Sequence, residues 1–311
     1  MIWDSKLWLE KKEEAIRNHE RNAMSRGRIG VYADTIRCVE ADEYLTESGK
    51  TVKLSHEFTV PQGVVSSPIE LKSIPAYPET DIEVWNADTF LAAKKLQEEG
   101  HKTAALNMAN RHQAGGGVIM GAGAQEENLF RRSNLFKALY PFDRNVGSLF
   151  NIQPADPSLG HYPMDKNFGG IYAEGITVFR GTEDEGYPLL DEPYFVNVIS
   201  VAAIDCPYLD EDGQMIQKMV EGTKNKIRTI LRLAIMNGCD AMVLGAFGCG
   251  AFCNPPDQMA RIFGEVFNEP EFAHSFRKIV FAILDDHNAG RIHNPEGNYK
   301  PFADYFQNFS L

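Results

Sequence analysis

The sequence has few cysteines and no surplus of positive charge. Its five cysteines among 311 residues are odd in number and follow no paired spacing, which excludes a disulfide-stabilised mini-scaffold and predicts reduced thiols. Lysine and arginine number 31 against 43 aspartates and glutamates, so the formal charge is −12. Proteins that follow a nucleic-acid backbone depend on lysine and arginine to displace counterions. We therefore expect no direct sequence-specific nucleic-acid binding, and local recognition of any polyanionic ligand.

Long apolar runs are also missing. No stretch approaches the roughly 18 uninterrupted apolar residues that indicate a membrane-spanning helix, and the charge-dense N-terminus lacks the apolar segment of a signal peptide. We expect a cytoplasmic protein with no membrane partner. What is present is ordinary globular composition, because 43% of the residues are apolar and 24% are charged. The chain is therefore long enough and apolar enough to form a full core.

Near-continuous apolar runs alternate with helix-like segments, as in parallel strands covered on both faces. The runs cover residues 82–87, 104–109, 194–203, 241–247 and 278–284, and the helix-like segments cover about 88–99, 125–139, 214–237 and 256–267. This pattern predicts an α/β fold, in which ligands bind beyond the carboxyl ends of the strands.

The remaining segments predict simpler elements. Residues 3–24 are rich in charge, with apolar side chains loosely at helical spacing, and predict an amphipathic helix. Residues 50–80 predict edge strands and a connecting loop broken by prolines. Residues 141–193 predict a long insertion with a hairpin around 171–180.

A triple glycine, Gly115-Gly116-Gly117, follows the second apolar run, and Gln125-Glu126-Glu127 stands at the start of the next helical segment. Consecutive glycines let the backbone approach a ligand closely. Adjacent acids at a helix start are favoured by the helix dipole, so N-terminal capping is the simpler interpretation of the acids taken alone. Their combination with the glycines favours a ligand site.

A second glycine loop, residues 245–250, follows the apolar run that starts at residue 241. Asn254 and the residues up to Asp257 are expected to cap and open the next helix. Backbone amides and a helix N-terminus suit a diphosphate. The third glycine of a dinucleotide fingerprint is absent, and a tight turn without a ligand is the alternative.

These motifs together resemble the signature of the poly(ADP-ribose) glycohydrolases, which are macrodomain proteins, in their compact microbial type. The similarity includes residues 106–110, 178–180, 243–252 and 280–283, and order and spacing agree from about residue 30 to 290. The resemblance implies a three-layer α/β/α macrodomain with a mixed, mostly parallel central sheet. It further implies an N-terminal helical and edge-strand extension over 1–75, packed on a catalytic domain over 76–311.

The resemblance also implies roles for individual residues. Glu127 is the acid that protonates the leaving hydroxyl and then activates water, and Glu126 holds hydroxyls around the scissile bond. Asp88 reads the adenine amino group or simply caps its helix, and Asn110 holds the distal ribose or ties down its own loop. Phe252 packs over that ribose or fills the core. The other implied contacts with ADP-ribose come from Gly115, Gly116, Gly117, Gln125, Gly248, Cys249, Gly250 and Ala251.

The implied activity is hydrolysis of the ribose–ribose O-glycosidic bond of poly(ADP-ribose), mainly from the chain end, with release of ADP-ribose. Its partner would be poly(ADP-ribose) or an ADP-ribosylated protein. The alternatives are a non-catalytic ADP-ribose-binding module and a hydrolase of mono-ADP-ribosyl conjugates on protein or nucleic acid. The presence of both glutamates favours the enzyme, because a binder does not need them. We expect no cofactor and no metal, since Asp285, Asp286, His287 and His293 fit no known ligand framework.

Overall fold

A computed structural model describes residues 3–54, 58–285 and 290–311. Contacts between residues divide the chain into two compact units. Unit 1 comprises Met1–Pro61, Gln113–Ala155 and Ala173–Val196, and unit 2 comprises Gln62–His112, Asp156–Tyr172 and Asn197–Leu311. The division into an extension over 1–75 and a catalytic domain over 76–311 stays a prediction.

The strands in chain order are β1 Glu43–Leu45, β2 Thr51–Lys53, β3 Asp81–Trp85, β4 Thr103–Met108, β5 Gly170–Arg180, β6 Leu189–Val201, β7 Ala241–Leu244 and β8 Lys278–Ala282. The helices are α1 Ser5–Arg17, α2 Arg21–Ala41, α3 Thr89–Glu98, α4 Gln125–Arg132, α5 Leu135–Leu139, α6 Arg144–Leu149, α7 Gln217–Met236, α8 Pro256–Phe267 and α9 Tyr299–Phe306. In the part of the chain that the structure describes, no helix is both long and apolar enough to cross a membrane.

The main sheet has six strands in the order β3-β8-β7-β4-β6-β5. The pairs β3–β8, β8–β7, β7–β4 and β4–β6 are parallel. Strands β5 and β6 are neighbours joined by only eight residues, and a link that short connects antiparallel strands. The predicted α/β fold with a mixed, mostly parallel sheet is confirmed.

Unit 2 has helices on both faces of this sheet. Alternate strand residues such as Leu106 and Phe281 pack into one core with α7, α8 and α9. The intervening residues, such as Ala105 and Val280, are buried but lie outside that core, and α3 contacts β4, β7 and β8. The five apolar runs form strands, as predicted. Strands β4, β7 and β8 are buried on both faces, whereas the edge strand β3 is partly exposed.

Unit 1 contains α1, α2, the β1–β2 ladder, and helices α4 to α6. Residues 3–24 were expected to form one helix, and this was wrong. Two helices occupy the region, because the chain turns at residues 18–20, where His19 has a positive φ of 55°. Trp8 of α1 packs edge-to-face on Tyr187 with ring centroids 5.1 Å apart, so the amphipathic face is buried as expected.

Two further expectations need correction. The hairpin predicted around 171–180 is a single strand, β5, and the chain reverses at residues 181–188. There Gly181 N–H donates to the carbonyl of Pro188 at 2.9 Å. Of the predicted edge strands, residues 51–53 form β2, whereas residues 58–60 contribute only the isolated bridge between Thr59 and Glu174. The bridge stays isolated because prolines follow it closely.

Candidate active site

The triple-glycine loop of unit 1 holds the two glutamates through its backbone amides. Gly115 N–H donates to Glu126 Oε1 at 3.1 Å, and Gly117 N–H donates to Glu127 Oε1 at 2.8 Å. One residue earlier, Ala114 N–H donates to a carboxylate oxygen of Asp143 at 2.9 Å. Hydrogen bonds to ionised acceptors are among the stronger ones. Two acids therefore fix the loop against the start of α4, and Asp143, the N-cap residue of α6, fixes it from another side.

The close approach of these acids requires glycine. Gly116 has φ +52°, and a Cβ atom there would lie 2.6 Å from Glu127 Oε1. Gly115 has φ +77°, and a Cβ atom there would lie 2.7 Å from the Phe130 ring. Both positions combine a left-handed backbone with missing space. The structure thus gives the triple glycine a purpose that sequence reasoning missed, and its contact with a ligand stays a prediction.

Glu126 and Glu127 are buried, with only 3% and 7% of their surfaces exposed. Both acids lie in the first turn of α4, where the helix dipole favours them, and the N-cap residue Ala124 makes no side-chain cap. The Oε2 atom of Glu127 is buried without a hydrogen-bond partner among the described residues. A buried carboxylate oxygen in that state requires an explanation, and a catalytic function is one.

A network of charged side chains supports the segment that leads into α4. The fully buried Arg131 donates through Nη1 to the carbonyl of Ala122 at 2.7 Å and through Nε to Tyr187 Oη at 2.9 Å. Tyr187 in turn donates to Glu183 at 2.7 Å, and Glu183 pairs with Arg28 at 2.9 Å. Burial raises the pKa of Tyr187, which keeps its hydroxyl a donor. Glu183 lies within residues 141–193, for which the sequence predicts a long insertion.

Helix α2 lies directly against the same segment. A Cβ atom at Gly121 would overlap the carbonyl oxygen of Ser25, and one at Gly123 would overlap the guanidinium of Arg28. Helix α2 also contacts α4 and the 3₁₀ turn Val118–Met120. The N-terminal helical region therefore supports the loop that carries the acids, and only the three-dimensional contacts reveal this.

In unit 2 the second glycine loop is organised by Asn254. A Cβ atom at Gly248, where φ is +76°, would lie 2.5 Å from Asn254 Nδ2. That nitrogen donates to the carbonyls of Ile204 at 2.7 Å and Phe252 at 3.0 Å. The expectation that Asn254 caps α8 was wrong, because Pro255 is the N-cap and the buried amide of Asn254 satisfies loop carbonyls instead.

The side chain of Cys249 lies in the core and not at the surface of its loop. Its thiol is fully buried in the core of unit 2, and burial raises its pKa. Its carbonyl accepts a hydrogen bond from His293 Nε2 at 3.1 Å. The predicted contact of Cys249 therefore has to be made by its backbone. Gly250 and Phe252 are partly exposed and Ala251 is exposed, so the end of the loop is open to a ligand.

Asp88, Asn110 and Gly248 follow β3, β4 and β7, whose carboxyl ends meet at one edge of the parallel sheet of unit 2. Asp88 caps α3 by accepting from Phe90 N–H at 3.0 Å, and Asn110 accepts from His112 N–H at 2.8 Å. The local structural functions weighed for both residues are therefore present. Their contacts with adenine and ribose stay predictions.

A cavity of about 600 Å³ opens at this edge in unit 2, and Asn110 and Phe252 line it. Six charged residues also line the cavity, and the sequence analysis predicted none of them: Arg111, Lys166, Asp205, Lys218, Glu221 and Lys226. Three of them, Lys218, Glu221 and Lys226, lie on α7, but lysines on a helix usually form a solvated face. The sequence therefore carried no usable signal for this cavity.

Metal binding has no structural support among residues 3–54, 58–285 and 290–311, where no group of three or more histidine, cysteine or acidic side chains could hold an ion. Asp286 and His287 lie outside the described residues. His293 binds the carbonyl of Cys249, as described above. The absence of a metal and of a cofactor stays a prediction.

Comparisons with known proteins agree on one family. The family model for the catalytic domain of microbial-type PARG matches residues 33–181. The structure is similar to a poly(ADP-ribose) glycohydrolase from Thermomonospora curvata, with a TM-score of 0.69 and 27% identity over 90% of this chain and 100% of that chain. It is also similar to the Deinococcus radiodurans enzyme in complex with ADP-ribose, with a TM-score of 0.57 and 29% identity over 73% of this chain and 84% of that one.

A second Thermomonospora curvata structure, bound to the inhibitor ADP-HPD, matches with a TM-score of 0.66 and 26% identity, over 90% of this chain and 100% of that chain. No curated protein matches the sequence. The family model covers strands β1 to β5 and the glycine–acid loop. The chain is therefore similar to microbial-type PARG in sequence over residues 33–181, and to bacterial poly(ADP-ribose) glycohydrolases in structure.

Proposed function

We propose that this protein hydrolyses the ribose–ribose O-glycosidic bond of poly(ADP-ribose), mainly from the chain end, and releases ADP-ribose. The match of residues 33–181 to the family model for microbial-type PARG and the likeness to two bacterial poly(ADP-ribose) glycohydrolases support the activity. The fold is assigned to the macrodomain type on the same basis. The observation that carries the proposal is the buried Glu127, one oxygen of which is fixed and the other unpartnered.

The surroundings of Glu127 assign its proton to one oxygen. Oε1 accepts a hydrogen bond from Gly117 N–H. A proton on Oε1 would compete with that N–H for the same oxygen. Oε2 has no partner in the described part of the chain and is free to carry the proton. In the reaction Oε2 gives this proton to the departing ribose oxygen as the C1″–O bond breaks. The resulting carboxylate then takes a proton from the water that attacks C1″.

Glu126 supplies the second carboxylate. The glycosidic bond breaks through an oxocarbenium-like transition state, which a nearby negative charge stabilises. Glu126 Oε1 is held by Gly115 N–H, and the side chain is 3% exposed, so its position is defined before substrate arrives. Following the resemblance, its other contacts are with ribose hydroxyls around the scissile bond.

The residues that bind ADP-ribose are assigned from the resemblance to the poly(ADP-ribose) glycohydrolases. Backbone amides of Gly248 to Ala251 bind the diphosphate, Asp88 binds the adenine amino group, and Asn110 and Phe252 hold the distal ribose. Gln125 and the triple glycine complete the set. Backbone amides in a glycine loop ahead of a helix suit a phosphate anion. A local grip of this kind also suits a chain of net charge −12.

A parallel digestion tests the proposal. Poly(ADP-ribose) and a mono-ADP-ribosylated protein are incubated with the enzyme, and the products are separated and identified by mass. Release of ADP-ribose from the polymer is expected. Cleavage of the mono-ADP-ribosylated protein alone would favour the conjugate hydrolase, and binding of ADP-ribose without any cleavage would favour the binding module.

We also propose a cytoplasmic location. All five cysteines are free thiols in the structure. Unpaired cysteines are usual in proteins of reducing compartments. Fractionation of cells that express the tagged full-length chain tests this proposal, and recovery of the protein outside the cytoplasm would contradict it.

A further inference from the structure

Lys226 is a buried cation without a partner. It lies on α7 with 1% of its surface exposed, and its Nζ has no hydrogen-bond partner among the residues described. Burial and the nearby charge of Arg111 together lower the pKa of Lys226 to about 8, although the charge of Asp165 opposes the shift. Burying an unpaired ammonium opposes folding. Such an arrangement is expected where the ammonium has a ligand.

The cavity that Lys226 lines is cationic. Four positive side chains line it, against two carboxylates, although the whole chain has a net charge of −12. One of the two carboxylates, Glu221, is already paired with Arg228 at 2.7 Å. Within the described ranges the four cations form no ion pair, and they are Arg111, Lys166, Lys218 and Lys226. Their charge is available to an anion.

One face of helix α7 lines this cavity with two lysines and a glycine. Lys218, Gly222 and Lys226 are four residues apart and so lie on one face of the helix. Glycine inside a helix is unfavourable by about 1 kcal/mol relative to alanine, but a Cβ atom at Gly222 would lie 3.2 Å from Ile204 Cδ1, which also lines the cavity. The first turn of α7 has no side-chain cap, and its dipole favours an anion.

We propose that this cavity binds the diphosphate of the ADP-ribose unit on the acceptor side of the scissile bond. The inference rests on the proposed function, because the resemblance assigns Asn110 and Phe252, which line the cavity, to the distal ribose. The loop assigned to the terminal unit's own diphosphate, Gly248 to Ala251, does not line it. A second diphosphate beside the distal ribose belongs to the next unit of the polymer.

This assignment makes the cavity a specificity site. A polymer carries a diphosphate beyond the scissile bond, whereas ADP-ribose linked to a neutral group does not. Lys226 and its neighbours therefore increase affinity for the polymer and contribute nothing to a substrate that lacks the acceptor phosphates. A charge-assisted hydrogen bond of this kind corresponds to roughly tenfold to hundredfold in binding.

Steady-state kinetics on two substrates test the proposal. The substrates are poly(ADP-ribose) and an ADP-ribose whose C1″ carries a neutral aryl ether, and the variant is Lys226→Met. The control is Lys224→Met, which removes the same charge from the same helix, where Lys224 pairs with Glu265 at 2.8 Å outside the cavity. We expect Lys226→Met to raise KM for the polymer roughly tenfold to hundredfold with kcat within about twofold. The aryl substrate and the control should show wild-type kinetics.

Two results would overturn the proposal. An unchanged KM for the polymer would show that the cavity is not a subsite, and an equal loss on both substrates would place Lys226 in the fold or the terminal site. Thermal unfolding of the variant separates those two cases. If the wild-type protein cleaves neither substrate, the proposed function fails independently. Calorimetric titration with inorganic pyrophosphate then decides the anion site, because binding weakened by Lys226→Met supports it and equal binding contradicts it.

Discussion

The two oxygens of the Glu127 carboxylate have different surroundings, and the proposed chemistry depends on this difference. The Gly117 amide fixes Oε1, whereas Oε2 is buried without a partner among the described residues. A general acid needs a defined proton position as well as a suitable pKa. The triple glycine supplies the first of these, because any Cβ atom at Gly116 would displace the acid.

Replacing the proton donor should abolish catalysis without removing the ligand. Glu127→Gln keeps an oxygen for the Gly117 amide but has no acidic proton, so we expect turnover of poly(ADP-ribose) to fall by roughly 10²–10⁴-fold. The affinity for ADP-ribose, measured by calorimetry, should stay within about threefold. Glu13→Gln, an exposed position on α1, serves as the control. Wild-type turnover by Glu127→Gln would refute the assignment.

A methyl group at Gly116 tests the loop itself. Gly116→Ala adds backbone strain at φ +52° and places Cβ against Glu127, so we expect both stability and activity to fall. Gly49→Ala is the matched control, because Gly49 has φ +84° with open space around its Cβ position. Both variants should lose about 1 kcal/mol of stability from strain. Only Gly116→Ala should lose more than about tenfold in kcat, and equal kcat in the two variants would contradict the account.

The buried Lys226 should make stability depend on pH. Its folded pKa of about 8 lies below the unfolded value of 10.5, so the unfolded chain binds more protons between these values. Stability conferred by this site therefore rises as pH increases from about 8 to 10.5, and below pH 8 the charged lysine opposes folding. Lys226→Met should be more stable than wild type at pH 7, by about 3 kcal/mol. This advantage should shrink towards pH 10.5 in denaturant unfolding, and a constant difference would exclude the titration.

At the scale of elements, the sheet was predictable and its supporting contacts were not. Strands such as β4 and β7 are buried on both faces, so their sequences are continuous apolar runs. Such runs can be recognised without knowing which strands lie beside them. The break between α1 and α2 depends on a single left-handed residue, His19, which has no distinct pattern. The contact of Arg28 with Glu183 joins residues 155 positions apart, and local patterns carry no information on such pairs.

The candidate site likewise has a part that the sequence predicts and a part that depends on three-dimensional packing. Sequence motifs predict a site at Glu126, Glu127 and both glycine loops, because these features are contiguous in the chain, and their contacts with a ligand stay predictions. The function of Asn254 was misjudged, because a capping residue and a loop-binding residue have the same sequence context. Lys226 was missed because its burial follows from the packing of α7, and its isolated charge resembles any lysine on a solvated helix.

Helix α2 should influence catalysis through the loop that it supports. Arg28→Ala removes the ion pair with Glu183 and the cover over Gly123, so the segment before α4 should become less well positioned. We expect kcat to fall about tenfold with the affinity for ADP-ribose nearly unchanged. Arg26→Ala, an exposed position two residues earlier, is the control. A loss of ADP-ribose affinity with normal kcat would contradict a positioning function.

At the scale of the whole molecule, the charge balance restricts how a polymer can be held. Each unit of poly(ADP-ribose) carries a diphosphate, and a chain of net charge −12 offers no general basic surface to it. Four cationic side chains line the unit 2 cavity, and the glycine loops offer backbone N–H donors to an anion. We therefore expect recognition of one chain end and of the unit next to it.

An early time course on long poly(ADP-ribose), with product lengths resolved on a gel, tests the central claim most directly. The account predicts that free ADP-ribose accumulates from the first time points beside slowly shortening chains, and that Glu127→Gln produces neither. A burst of mid-length oligomers before any free ADP-ribose would contradict cleavage from the chain end. Intact polymer after prolonged incubation with wild-type protein would contradict the glycohydrolase function itself.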